Sequence, residues 1–175
     1  MKQYDFLFKE PGPRMITEAL KLIGTKEIEG PVHSRVILGW VKELGLSGLV
    51  RDDETAWCGI AHAYVAMKAG KDVPMKGYDV LRALKWAEFG TPVQIAKLGD
   101  TLVFKRAGGG HVGCYVGEDS TAYHVLGGNQ SNQYGFTRIL KTRIYAIRRP
   151  FYKVQPDNVR RIFVHSSGVL STNEE

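Results

Sequence analysis

The chain has 175 residues, 43% of them hydrophobic and 24% charged, a balance that suits one soluble globular domain and excludes a disordered or fibrous protein. Lys and Arg number 24 against 18 Asp and Glu, and the resulting charge of +6 favours an anionic partner: nucleic acid, anionic lipid or the acidic polymers of a bacterial envelope. Two cysteines, Cys58 and Cys114, are too few for a disulfide framework, and no apolar run reaches the roughly 18 residues that a membrane span needs.

In chain order, Arg14 to Ile23 sets Met15, Ala19, Leu22 and Ile23 on one helical face and stops at Gly24. Ser34 is placed to cap a second helix carrying Val36, Ile37, Trp40, Val41 and Leu44, which ends at Gly45. Thr55 is placed to cap a third and most apolar helix, from about Trp57 to Gly70, and a weaker helical pattern covers Val80 to Phe89. Gly90-Thr91-Pro92 breaks that pattern and strands follow: Asp100 to Lys105, His111 to Gly117, Thr121 to Leu126, and one or two more between Phe136 and Arg148. Helices first and hairpin-linked strands second predict an α+β fold, N-terminal helices packed on a small antiparallel sheet. Residues 1–150 read as the domain proper and 151–175 as a partly packed C-terminal extension with a loose end, Ser171 to Glu175.

Cys58 stands just inside the start of the third helix, where unpaired backbone N–H groups and the helix dipole stabilise a thiolate and, after attack on a carbonyl, an oxyanion. A thiol nucleophile needs a base. His111 opens a strand after Gly108-Gly109-Gly110, at a sheet rim that can face a helix start. On that strand Cys114 points to the opposite side and reads as core. His62, one turn after Cys58, competes for the thiol, and a zinc site of Cys58, His62, His111 and Cys114 is disfavoured by the opposed directions of His111 and Cys114. The imidazole also needs an orienting group, and Asn129, first after Gly127-Gly128, is the choice, with Asn132 and Gln133 behind it.

The order Cys, His, Asn across helices and then strands resembles the papain-like cysteine peptidases and amidases of bacterial cell walls, the NlpC and CHAP groups. The matching segments are Thr55-Ala56-Trp57-Cys58, Gly99-Asp100-Thr101-Leu102-Val103-Phe104, Gly110-His111-Val112-Gly113 and Val125-Leu126-Gly127-Gly128-Asn129-Gln130-Ser131. Lys26-Glu27-Ile28-Glu29-Gly30 resembles the opening of a phage-lysin subgroup, and the resemblance spans roughly residues 14–150. It departs from many CHAP members in having no acidic residue near the third position, and NlpC-type enzymes often orient with a second histidine, a role open to His124. The resemblance implies a peptidoglycan hydrolase, endopeptidase or N-acetylmuramoyl-L-alanine amidase, in which Cys58 attacks an amide, His111 shuttles the proton and Asn129 orients His111. No cofactor or metal is implied, and a monomer is expected. Trp57, Glu54 and Gly110, which flank the pair, are the expected substrate contacts. Without a recognisable signal peptide at Met1-Lys2-Gln3-Tyr4-Asp5-Phe6, cytoplasmic synthesis is expected, with access to the wall by holin-type release, lysis, or virion or secretion delivery. The alternatives are a thiol acyltransferase or deamidase acting on protein, and a basic nucleic-acid-binding module using Lys141, Arg143, Arg148, Arg149, Arg160 and Arg161.

Overall fold

Glycine-rich turns after residue 100 let consecutive strands fold back on one another, and the computed structural model, which describes residues 2–165 and 170–171, is an α+β fold around one six-stranded antiparallel sheet. The strands are β1 (Thr91–Pro92), β2 (Thr101–Arg106), β3 (Gly109–Glu118), β4 (Ala122–Gly127), β5 (Gly135–Leu140) and β6 (Ile144–Arg149). Their order across the sheet is β1-β6-β2-β3-β4-β5. The hairpins β2–β3, β3–β4 and β4–β5 follow from the short turns, whereas β6 crosses over to pair with β2.

The first half supplies helices α1 (Arg14–Leu20), α2 (Arg35–Glu43), α3 (Cys58–Lys68) and α4 (Tyr78–Leu81), with 3-10 helices at Lys2–Phe8 and Ala83–Glu88. Helix α3 is apolar nearly all round, with Cys58 to Ala63, Val65 and Ala66 buried, and it lies between the other helices and strands β3 and β4. Both expected helix caps differ in detail. Ser34 does sit at the N-cap of α2, but it is its backbone N–H that is held, by Asp53 Oδ2 at 2.8 Å. Thr55 does not cap α3, because its N–H and hydroxyl both turn back to Asp52 Oδ1, at 3.0 and 2.9 Å, and Trp57 takes the cap position. The single helix expected over Val80 to Phe89 is two pieces, α4 and a 3-10 helix, pinned where Trp86 Nε1 donates to Val80 O at 3.1 Å.

Beyond Arg149 the chain returns to the sheet. Glu118 N donates to Ile162 O (2.9 Å) and Val164 N to Glu118 O (3.0 Å), while Tyr115 Oη donates to Ile162 O at 3.0 Å. Buried Glu118 meets Lys141 at 2.6 Å and Arg161 at 2.5 Å, so two cations offset the cost of burying its carboxylate. The expected loose end at 171–175 lies, after Ser171, outside the described residues.

One contact fixes how α3 seats. A Cβ built on Gly59 would lie 2.3 Å from Val80 O and 3.3 Å from the Leu81 backbone, so α3 and α4 touch backbone to backbone there. Because a carbonyl cannot swing aside as a side-chain tip does, Gly59→Ala is expected to cost about 3 kcal/mol in urea-induced unfolding. A wild-type midpoint with an unchanged slope would show that the two helices are not so tightly apposed.

Candidate active site

The site forms where the sheet opens. Strand β4 stops pairing with β3 at Leu126–Cys114, while β2 continues alongside β3 as far as Arg106–Gly109. Tyr115 N donates to Asp100 O at 2.8 Å, so by the alternation of an antiparallel ladder the odd-numbered residues of this stretch bond to β2 and the N–H of Val112 points to the side that β4 has left. Helix α3 packs against β3 and β4 there, and the Val112 N–H is the first of the groups that favour the Cys58 thiolate. Cys58 is therefore set against the residue that follows His111.

No side chain caps α3, so the N–H groups of its first turn remain available to the thiol and to an oxyanion formed upon it. Cys58 is 3% exposed, and burial pushes its thiol up; the N–H groups of Val112, Gly59 and Cys58 itself and the Arg106 guanidinium pull it back without cancelling the shift. At rest the thiol keeps its proton, so a base must remove it.

His111 is 0% exposed, and its Nε2 lies 3.1 Å from Nε2 of Gln130. Sequence reasoning named Asn129 for this contact; the structure gives it to the next residue, while Asn129 Oδ1 is buried with no hydrogen-bond partner. The physical reason is the backbone of the turn, where Asn129, Ser131 and Asn132 all have left-handed φ (56°, 53° and 57°) and curl the chain back toward β3. Two glycines make room for it. A Cβ on Gly127 would lie 2.8 Å from the Gln130 amide, and one on Gly128 would lie 2.5 Å from the Trp57 ring. Glycines and glutamine thus act as one device, and the only trace of it in the sequence is their adjacency.

The Gln130 amide also sets the tautomer. With its NH₂ donating, the ring nitrogen accepts and the proton sits on Nδ1; with the amide turned half a revolution, Gln130 Oε1, which is buried and unpartnered, accepts from Nε2–H and leaves Nδ1 bare to take a proton. The second arrangement is the one a general base requires.

The other histidines have structural partners. His62 Nε2 meets Thr101 Oγ1 at 2.8 Å and its Nδ1 meets Cys114 Sγ at 3.9 Å, with its ring edge-on to Trp86. Desolvation, reinforced by nearby His111, lowers its pKa to about 3, so it is a neutral core residue and not a rival base for Cys58. His124 belongs to another network, between Tyr4 Oη at 2.6 Å and Asp119 Oδ2 at 2.9 Å, and does not orient His111. His33 Nδ1 meets Asp53 Oδ1 at 3.0 Å. Among the described residues no group of three His, Cys, Asp or Glu side chains could hold a metal ion.

Of the expected substrate contacts, Trp57 is a packing residue. It is 0% exposed, tilts against Trp40, and donates from Nε1 to Glu27 Oε2 at 3.1 Å. Glu27 in turn gives its N–H to Asn132 O at 2.9 Å, so it braces both the tryptophan before Cys58 and the turn that carries Gln130. Glu54 is exposed, and half-buried Gly110 sits under Leu84, 2.7 Å from where a Cβ would be.

Cys114 is fully buried, and desolvation raises its pKa to about 12 with Asp100 adding to the shift. Iodoacetamide at neutral pH is therefore expected to modify Cys58 at least about tenfold faster than Cys114. Equal or reversed rates, read by peptide mapping, would remove the chemical distinction between the two thiols. Comparison with protein-family models and with curated proteins finds no match to this chain.

Proposed function

We propose that the chain is a papain-like cysteine hydrolase of the NlpC/CHAP type that cuts an amide bond of the peptide stems of peptidoglycan. The observation that carries the reading is a thiol at an uncapped helix start, its thiolate favoured by the N–H of Val112, with the preceding His111 tied through its ring to Gln130.

His111 takes the proton of the Cys58 thiol, and the sulfur attacks the substrate carbonyl carbon. The negative charge that develops on the carbonyl oxygen falls to the first-turn N–H groups of α3. As the tetrahedral intermediate collapses, the C–N bond breaks and His111 returns its proton to the leaving amine. Water then attacks the thioester, giving up a proton to His111, which passes it to the departing sulfur. Gln130 accepts from Nε2–H throughout and stabilises the imidazolium.

A substrate would approach by the turn at Gly108 and Gly109, both exposed and with no atom near where a Cβ would stand. The rival basic binding module is disfavoured because its cations are largely committed. Lys141 and Arg161 pair with Glu118, Arg149 with Asp100 and Arg160 with Glu10, while Arg148 donates to Phe89 O and Gly90 O. In this reading the protein works at the wall, after holin-type release, lysis, or virion or secretion delivery. No helix of the described residues is long and apolar enough to cross a membrane.

The test is digestion of purified sacculi with mass spectrometry of the soluble fragments. Released stem peptides with a new amine support the reading, and their masses say whether the sugar–peptide amide or a bond within the stem is cut. Sacculi that stay intact while a protein glutamine is deamidated or acylated would overturn it in favour of the acyl-transfer alternative.

A further inference from the structure

Several arginines of this chain face a carboxylate, and Arg106 does not. Arg138 meets Asp119 at 2.7 Å, Arg149 meets Asp100 at 2.8 Å, and Arg160 and Arg161 meet Glu10 and Glu118 at 2.7 and 2.5 Å. Arg106 closes β2 opposite Gly109, and strand alternation puts its side chain on the face shared by Phe104 and His111. Its Nε donates to Gly110 O at 3.3 Å, the carbonyl just before His111, and no carboxylate among the described residues pairs with it. That bond anchors the guanidinium through Nε; the terminal NH₂ groups make no hydrogen bond to the described residues, and the half-buried side chain stands beside the exposed Gly108–Gly109 turn.

We propose that Arg106 is the anion-binding residue of this site, gripping a free carboxylate that the substrate carries next to the scissile amide, and so selecting acidic peptides over neutral ones. The inference rests on the hydrolase reading for the word substrate, but the anion site itself does not. Three features support it. A guanidinium whose Nη1 and Nη2 are free presents the planar fork that a carboxylate fills with two parallel hydrogen bonds. Its anchor at Gly110 ties it to the residue adjoining His111, so that a carboxylate bound there lies beside the catalytic pair. Its charge is also felt at the Cys58 sulfur, which places the two in one electrostatic environment. A wall peptide rich in free carboxylates meets this chemistry, and so does the chain's net charge of +6.

The test compares two alkylating agents of similar size, anionic iodoacetate and neutral iodoacetamide, on the full chain, with the Cys58 peptide read separately from the Cys114 peptide and the rate ratio taken as iodoacetate over iodoacetamide. Both reagents form the same C–S bond with loss of iodide, so the ratio of their rates cancels the thiolate fraction and reports the local preference for an anion. The ratio in Arg106→Gln is expected to fall at least about tenfold below wild type, with Arg106→Lys between the two, since it keeps the charge and loses the fork. A ratio unchanged by Arg106→Gln overturns the proposal. In the second arm, Arg106→Gln is expected to raise KM for stem peptides with a free carboxylate by about tenfold or more and to leave their amidated forms unchanged; equal effects on both also overturn it. If the wild type releases nothing from sacculi or peptides while the alkylation ratio still falls, the hydrolase reading fails and the anion site stands.

Discussion

Cys58→Ala is expected to slow amine release from sacculi by about 10⁴-fold or more and to leave the fold standing. The size follows from the chemistry, since without the sulfur there is no acyl-enzyme, and what remains is the contribution of bound water and the helix-start N–H groups. The small structural cost follows from the packing. Removing one buried sulfur beside Gly59 and Val112 costs about 1 kcal/mol or less, far below what Gly59→Ala does one residue away. Cys58→Ser preserves the shape of the site and is expected to be almost as inactive, because a hydroxyl gives up its proton to an imidazole far less readily than a thiol does. Retention of more than a tenth of wild-type turnover by either folded variant would mean that the thiol is not the nucleophile.

The second large effect separates two neighbours. Gln130→Ala is expected to lower kcat by about 10³-fold, because the imidazole then loses the group that holds its reactive tautomer and steadies its positive charge. Asn129 is better replaced by glycine than by alanine, since its φ of 56° suits glycine and strains a Cβ. Asn129→Gly is expected to change kcat by less than about tenfold. A merely structural role for Gln130 would show as a lost thermal transition, whereas an orienting role shows as a folded enzyme whose pH–rate profile is displaced. The reverse order of effects, with Asn129→Gly the worse variant, would restore the residue that sequence reasoning favours.

That contrast shows what the sequence carries and what it does not. The positions of Cys58 at a helix start and His111 near a strand start are legible because each is marked by a local signal, an apolar helix and a strand that follows three glycines. Gln130 is not legible because three left-handed residues decide which side chain of the turn faces β3, and φ signs at Asn129, Ser131 and Asn132 are not written in residue type alone. Trp57 reads from sequence as a cleft wall and is buried in the structure, since its neighbours Trp40, Glu27 and Gly128 come from distant parts of the chain. The strands after residue 100 follow from alternation and turns, yet the pairing of β6 with β2 rather than β5 does not, because register between non-consecutive strands is fixed by long-range packing. The same holds at the N-terminus, where the 3-10 helix Lys2–Phe8 is pinned by the bond from Tyr4 to His124, 120 residues away.

The central claim is that substrate is carried as a thioester on Cys58, and the most direct measurement is to catch it. Wild-type protein mixed with an excess of soluble stem peptides and quenched in acid within the first turnover should yield a Cys58 peptide heavier by the mass of the acyl fragment. Hydroxylamine should remove that mass, as it does from any thioester. Turnover that releases amine with Cys58 unmodified at every quench time, or an adduct that maps to Cys114 or to a residue other than cysteine, would contradict the account.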